Sequence, residues 1–322
     1  MRRGGAALFW ALLCPWLALA QGFPAPGKAV RVVVGFPPGG GTDIQARLVA
    51  PKFSEALGAP VVIDNKPGAS TMIAAQEVAR AAPDGYTLLY TFSGTMAQNP
   101  HTLAAVPYDP FRDFTPISNG ARGPLVLVAW PGLPAENLQS LIAYGKSNPG
   151  KLNCASFGAG TSGHINCELL GRNAGIEIVH VPYKGGADAY KDLFAGRVHL
   201  MFDPATTAVP NAKSGKLKMY GVVAERRVPM LPEVPTIAEQ GVPGFEGIAW
   251  VGLVAPAGTP KPIIARLHTE VAKALAIPEM HDRFTGLGSE PVGNTPQEFG
   301  AYIRAEIEKW GKVIKESGAK VD

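Results

Sequence analysis

The residues in this sequence best suited to chemistry form two glycine-rich turns. The first runs through Phe36, Pro37, Pro38, Gly39, Gly40, Gly41, Thr42 and Asp43, directly after an apolar run over 30–35. The second runs through Phe157, Gly158, Ala159, Gly160, Thr161, Ser162, Gly163 and His164, after a similar run over 152–156. Glycine lets a backbone approach a ligand closely, and the free N–H groups and positive dipole at a helix start favour an anion. One such turn in each half of the chain suggests a clamp around a negatively charged guest. The second turn also reads G-x-G-x-x-G, the dinucleotide pattern. That fingerprint needs an acidic residue about 20 positions later at the end of the next strand, where this chain has His180, Val181, Pro182 and Tyr183. The first turn lacks the G-K-[ST] ending of a phosphate loop, so nucleotide binding is not expected of either.

Other candidates are weaker. Ser70, in Asn65-Lys66-Pro67-Gly68-Ala69-Ser70, fits either a helix N-cap or a further cleft wall, and Tyr183-Lys184-Gly185-Gly186 can act likewise in the second half. Cys154 and Cys167 fit either a disulfide or two buried thiols; a bridge would contribute about 3 kcal/mol. His164, Cys167 and Glu168 lie close in sequence but match no closed zinc pattern, so no metal is expected. His180 and His199 alternate with apolar neighbours and read as core or edge residues. With no G-x-S-x-G elbow and no H-E-x-x-H, neither a nucleophile nor a zinc hydrolase announces itself, and no enzyme activity is expected.

Positioning two such turns requires strands that feed helices. Strands are predicted over 30–35, 61–64, 86–91, 125–130, 152–156, 177–181, 198–202, 217–223 and 248–255, several apolar on both faces as interior parallel strands are. Helices are predicted from 42, over 70–82, 135–146, 164–173, 187–195 and 260–276, and from 295 through 314. Thr42 with Gln45 reads as a capping box, and Pro51 predicts a kink or early stop. The last helix carries the fullest signals: Thr295, Pro296 and Glu298 at its start, then Phe299, Tyr302, Ile303, Ile307, Trp310 and Ile314 along one face. The pattern is α/β, with each of two lobes a mostly parallel sheet flanked by helices. Segments 115–124 and 241–247 read as two crossings at a hinge, giving lobe 1 as 21–123 plus 247–322 and lobe 2 as 124–246.

Composition agrees. The 322 residues are 46% hydrophobic and 17% charged, enough apolar material for two domains. Arg2 and Arg3, an apolar run over 6–19 broken by Pro15, and small residues Ala18 and Ala20 have the plan of a secretory signal cleaved near Ala20, which implies a periplasmic product. Cys14 stands where a lipid-modified cysteine would need smaller residues before it. Without Arg2 and Arg3 the net charge is near +2, which gives no reason to expect nucleic acid as a partner.

Ten phrases in order then resemble one family. They are GFPPGGGTD (35–43), NKPGAS (65–70), DGYTLL (84–89), PYDPFRDFTPI (107–117), GAGTSGHINCEL (158–169), VPYKG (181–185), MFDP (201–204), LPEVPTIA (231–238), GLVAPAGTPKP (252–262) and PVGNTPQEF (291–299). The chain resembles the Bug-type extracytoplasmic receptors of tripartite tricarboxylate transporters. The resemblance implies a periplasmic-binding-protein clamshell of the Venus-flytrap kind, a small carboxylate ligand (a dicarboxylate, tricarboxylate, aromatic acid or acidic amino acid), integral membrane transporter subunits as partners, and no cofactor. A monomer is expected. Carried over by position, the resemblance nominates Phe36, Gly40, Gly41, Thr42 and Asp43 on one side and Gly160, Thr161, Ser162 and His164 on the other. Ser70, Ser93 and Asp203 are additional wall candidates, with Asp203 either a selectivity residue or a strand-end cap. Ile165, Asn166, the two cysteines and Pro51 depart from the family's usual pattern, which bears on ligand identity. A sensor for a signalling partner, or a secreted enzyme using the same cleft, are the competing functions.

Overall fold

The computed structural model describes residues 22–245 and 247–317; the expected signal segment over 1–20 lies outside the described residues. Two sheets carry the fold. The first contains β1 (Val30–Val34), β2 (Val61–Asn65), β3 (Thr87–Phe92), β4 (Phe114–Gly123), β10 (Ala249–Pro256) and β11 (Glu290–Pro291), in the order β11-β4-β10-β3-β1-β2. The second contains β5 (Leu125–Ala129), β6 (Leu152–Ser156), β7 (Ile178–Pro182), β8 (Leu200–Pro204) and β9 (Lys218–Val222), in the order β7-β6-β8-β5-β9.

Strand composition explains the layering. All five residues of β5, Leu-Val-Leu-Val-Ala, are buried because both faces of its sheet are covered. Leu125, Leu127 and Ala129 join the core beneath α4 (Leu138–Ser147) and α5 (Ser162–Ala174); Val126 and Val128 join the opposite one, beneath α6 (Gly186–Phe194) and α7 (Ala205–Lys213). In the first sheet Val30, Val32 and Val34 of β1 pack toward α1 (Gly41–Leu57) and α8 (Lys261–Leu275). Val33 packs toward α2 (Met72–Ala79) and the start of α10 (Pro296–Ser317) on the other face.

The sheets are mixed rather than mostly parallel. β1 pairs parallel with β2 and β3, and β6 with β7 and β8. The strands at the crossings pair antiparallel: β10 with β3 and β4, and β5 with β8 and β9. The segment 115–124, expected to be a connection, is mostly the ten-residue strand β4, which passes through Pro124 straight into β5 in the other sheet. Its Pro116, Asn119 and three glycine or polar neighbours hid the strand pattern.

Four further departures have local causes. Pro51 lies inside an unbroken α1, on the solvent side, where water can take the carbonyl it leaves unbonded; α1 ends at Gly58, whose φ of 73° only glycine takes freely. The predicted Thr42–Gln45 capping box does not form, because α1 starts earlier with Gly40 as N-cap. Ser70 is no N-cap either; Ala69, Ser70 and Thr71 all have positive φ, and α2 begins only at Met72. Three α-helices were missed, the short α3 (Asn99–Thr102), α7, which contains Pro210, and α9 (Pro278–Gly286). The capping box at Thr295 and Glu298 does form, with the Thr295 N–H donating to Glu298 at 2.9 Å and the Glu298 N–H to Thr295 Oγ1 at 3.2 Å. α10 does more than pack on one sheet. Phe299 and Ile303 enter the core of the first lobe, whereas Trp310 and Ile314 enter that of the second. Between them the buried Glu306 accepts from the indole N–H groups of both Trp250 and Trp310 at 3.2 Å.

Candidate functional site

The two glycine turns open on one shared cavity of ≈ 60 Å³. Phe36, Gly40, Gly41 and Thr42 line it from the first lobe, and Phe157, Thr161, Ser162 and Gly163 from the second. Its first-turn residues come from four helices: α1, α5, α6 through Gly186, and α7 through Ala205 and Thr206. N–H groups in the first turn of a helix have no intrahelical acceptor. Among these, the Ala205 N–H is already bonded to the Pro124 carbonyl at 3.1 Å. Gln45 and Ser289 add polar groups to a wall that is otherwise apolar, with Phe92, Leu125, Phe202 and Trp250 prominent, and among the described residues no ionisable side chain lines it.

The lobes are closed on one another. Ser70 Oγ donates to the Ala159 carbonyl at 2.6 Å, Ser162 Oγ to Gln98 Oε1 at 2.7 Å, and Gln45 Nε2 to Thr206 Oγ1 at 2.7 Å, each bond crossing from one sheet's elements to the other's. Phe36 and Phe157, the residues that follow β1 and β6, meet edge to face with centroids 6.2 Å apart. Glycine is required at this seam: a Cβ on Gly185 would lie 2.3 Å from Pro37 Cδ, and Gly160, at φ +80°, would bring one to 2.6 Å from Thr102 Oγ1.

Of the residues expected to touch ligand, Phe36, Gly40, Gly41, Thr42, Thr161 and Ser162 line the cavity, and Asp43, Ser70, Gly160, His164 and Asp203 do not. Ser93 sits apart, in a small recess beside Ser162 and Asn166, its buried hydroxyl unpaired. Asp43 instead braces the first turn. Its carboxylate accepts from the Gly39 N–H at 2.9 Å, from Arg47 Nε at 3.0 Å and from Asn65 Nδ2 at 2.8 Å. His164 braces the second turn, its Nδ1 accepting from the Gly160 N–H at 3.1 Å. It stacks on His180 with centroids 3.8 Å apart, and His180 Nε2 lies 2.7 Å from Ser156 Oγ. Burial lowers the pKa of both imidazoles, that of His180 to about 3 with a further push from His164. Cys154 on β6 and Cys167 on α5 are joined by a disulfide at the base of this turn.

Asp203 faces the core, fully buried, accepting from Tyr190 OH at 2.7 Å and Thr207 Oγ1 at 2.8 Å. Burial pushes its pKa up to about 7 against the lowering effect of those two donors. Sequence reasoning overlooked Gln45, Phe92, Thr206, Trp250 and Ser289, all on the cavity wall. Thr206 lies two residues after the end of the MFDP phrase, in the first turn of the helix that Pro210 disguised. Gln45 carried a signal that was read as capping. Among the described residues, no group of three or more His, Cys, Asp or Glu side chains is placed to hold a metal, and no helix is long and apolar enough to cross a membrane.

Residues 45–319 match the family model described as tripartite tricarboxylate transporter family receptor. The chain belongs to that family. Solved structures of similar proteins agree with the two-lobed fold. The periplasmic binding protein BugD is 36% identical, with a TM-score of 0.87 over 92% of this chain and 99% of its own. An R. palustris protein solved with adipate is 39% identical, with a TM-score of 0.88 over 91% and 98%. MatC from Rhodopseudomonas palustris, with bound malate, is 37% identical, with a TM-score of 0.84 over 90% and 99%. The receptor family thus accounts for the clamshell, and a periplasmic setting and solute binding come with membership.

Proposed function

We propose that this receptor captures a small carboxylate, with dicarboxylates foremost, between its lobes and delivers it to the membrane subunits of a tripartite transporter. The observation that carries this reading is the set of four helix starts around a cavity without a charged side chain. Each helix N-terminus carries about half a positive charge, so four of them can offset about two negative ones. That potential does not titrate, so the anion would be held by backbone and hydroxyl donors over a wide pH range. Phe36, Gly40, Gly41, Thr42, Thr161 and Ser162 are its direct contacts in this reading, while Asp43, Gly160 and His164 hold the turns in shape. The adipate and malate bound to the two R. palustris relatives support the choice of acid class. Any acid or base needed for turnover would have to come from outside the wall, which favours binding over catalysis.

In the same reading residues 1–20 are removed on export. The lobes, 21–123 plus 247–322 and 124–246, move as bodies about the two crossings. A thermal-shift series over mono-, di- and tricarboxylates is the test. A ligand at 100 times its Kd adds about 2.7 kcal/mol to folded stability, so a matching dicarboxylate should raise Tm clearly. The reading fails if no acid raises Tm and mass spectrometry of the purified protein finds no acid bound.

A further inference from the structure

We propose that Gln45, Thr206 and Ser289 form a reader for an uncharged hydroxyl group, so that the receptor prefers a hydroxy acid to the same acid without its hydroxyl. The proposal rests on the carboxylate reading of the cavity and adds to it a requirement on the rest of the ligand.

All three side chains are buried, and all three line the cavity. They come from separate places: Gln45 from the second turn of α1, Thr206 from the start of α7 in the other lobe, and Ser289 from the segment before β11. Gln45 Nε2 donates to Thr206 Oγ1 at 2.7 Å and reaches Ser289 Oγ at 3.4 Å, and the two hydroxyl oxygens lie 3.0 Å apart. Gln45 Oε1 is buried and accepts from nothing.

Counting donors and acceptors defines what fits. Gln45 Nε2 donates toward both hydroxyl oxygens and, as an amide nitrogen, accepts from neither. One of the two hydroxyls donates to the other, which leaves a single free O–H donor in the trio. The trio therefore offers a free hydroxyl proton beside Gln45 Oε1, a buried carbonyl acceptor that no donor serves. An alcohol satisfies both, because it accepts with its oxygen and donates its proton. A carboxylate has no proton to give Oε1, an ammonium cannot accept, and a methylene leaves both groups unpaired. Sites that hydrogen-bond a hydroxyl discriminate strongly against the analogue lacking it, because their own polar groups are then left buried without partners.

The test is calorimetric titration of the whole mature receptor with acids paired by one hydroxyl: malate with succinate, 3-hydroxybutyrate with butyrate, and 4-hydroxybenzoate with benzoate. In the pair whose length suits the cavity, the hydroxy acid should bind at least about tenfold more tightly. Gln45→Met, which keeps the bulk and removes the free acceptor, should bring that ratio close to one whatever it does to absolute affinity. Thr206→Val, which removes the hydroxyl that orients the amide, should lower the ratio as well and serves if Gln45→Met fails to fold. Pairs that bind alike would overturn the reader while leaving the carboxylate site standing. A ratio that survives both substitutions would also overturn it. If none of the six acids binds, the carboxylate reading falls and the reader with it.

Discussion

The two turns that face the cavity share a backbone plan and differ in how they are held. In the first, the charge on Asp43, a side chain only 3% exposed, gathers the Gly39 N–H, Arg47 and Asn65, and Asn65 also donates to the Phe36 carbonyl at 2.9 Å. In the second, the bracing is uncharged and covalent. Gly160 donates to a neutral imidazole, the Gly158 N–H donates to Ser156 Oγ at 3.2 Å, and the Cys154–Cys167 bridge ties the strand before the turn to the helix after it. Stacked imidazoles and a disulfide respond to acid and to reductant. The two lobes therefore present similar backbone donors to one cavity, while the second turn carries bracing that acid and reductant can loosen.

Breaking the bridge is the largest test of this contrast. Replacing both cysteines, Cys154→Ala with Cys167→Ala, should cost about 3 kcal/mol, the chain-entropy value for a loop of this length. Hydrogen exchange should show the loss in β6, α5 and the turn between them, with β1 and α1 unchanged. Equal loosening of both turns would mean that the lobes are not separately braced. Next in size, Asp43→Asn should cost about 2 kcal/mol, since a charged acceptor serving several donors is replaced by an amide that turns one N–H toward them. Arg47 is half exposed, so solvent already screens part of that pair and the figure stays at the low end. Denaturant unfolding measures the loss. Ligand affinity should fall with it, because Gly40 and Gly41 depend on the turn that Asp43 closes.

The same contrast shows what the sequence could and could not reveal. Both turns were legible because glycines after an apolar run and before a helical pattern mark a strand-to-helix turn, and both turns open on the shared cavity. Asp43 and His164 were assigned to ligand for the same reason, since sequence adjacency does not show which way a side chain turns. Asp203 shows this most plainly: a carboxylate at a strand end reads either as a selectivity group or as a cap, and its bonds go to Tyr190 and Thr207 inside the core. What was not legible lies across the cleft. The Gln45–Thr206 bond joins residues 161 positions apart, and no local spacing encodes it. Mixed sheets were missed for a related reason. Antiparallel pairing of β4, β10 and β5 follows from strands passing between lobes, whereas their apolar runs resemble those of buried parallel strands.

The smallest net effect in the wild-type chain comes from pH, because the buried carboxylate of Asp203 and the buried and half-buried histidines of the second lobe, His164, His180 and His199, respond with opposite sign. Asp203 has its folded pKa raised to about 7, from about 3.9 unfolded. Its contribution is complete below about pH 4 and is lost as pH rises to 7, at about 1.4 kcal/mol per unit. His180 has its folded pKa lowered to about 3, from about 6.5 unfolded. Its contribution is complete above about pH 6.5 and is lost as pH falls toward 3. Its slope is below about 1.4 kcal/mol per unit because solvent reaches part of the ring. Between pH 4 and 6.5 the two slopes oppose, and the fully buried carboxylate outweighs the half-buried ring. Stability of the wild-type receptor should therefore fall gently with rising pH across that window. Asp203→Asn keeps an acceptor for Tyr190 and removes the opposing slope, so its stability should instead rise with pH, following the buried and half-buried histidines of the second lobe, His164, His180 and His199. Chemical denaturation of both proteins at pH 4.5, 5.5 and 6.5 reads the two signs directly. An Asp203→Asn profile still falling with pH would show that the imidazole stack does not govern the acid response of the second turn.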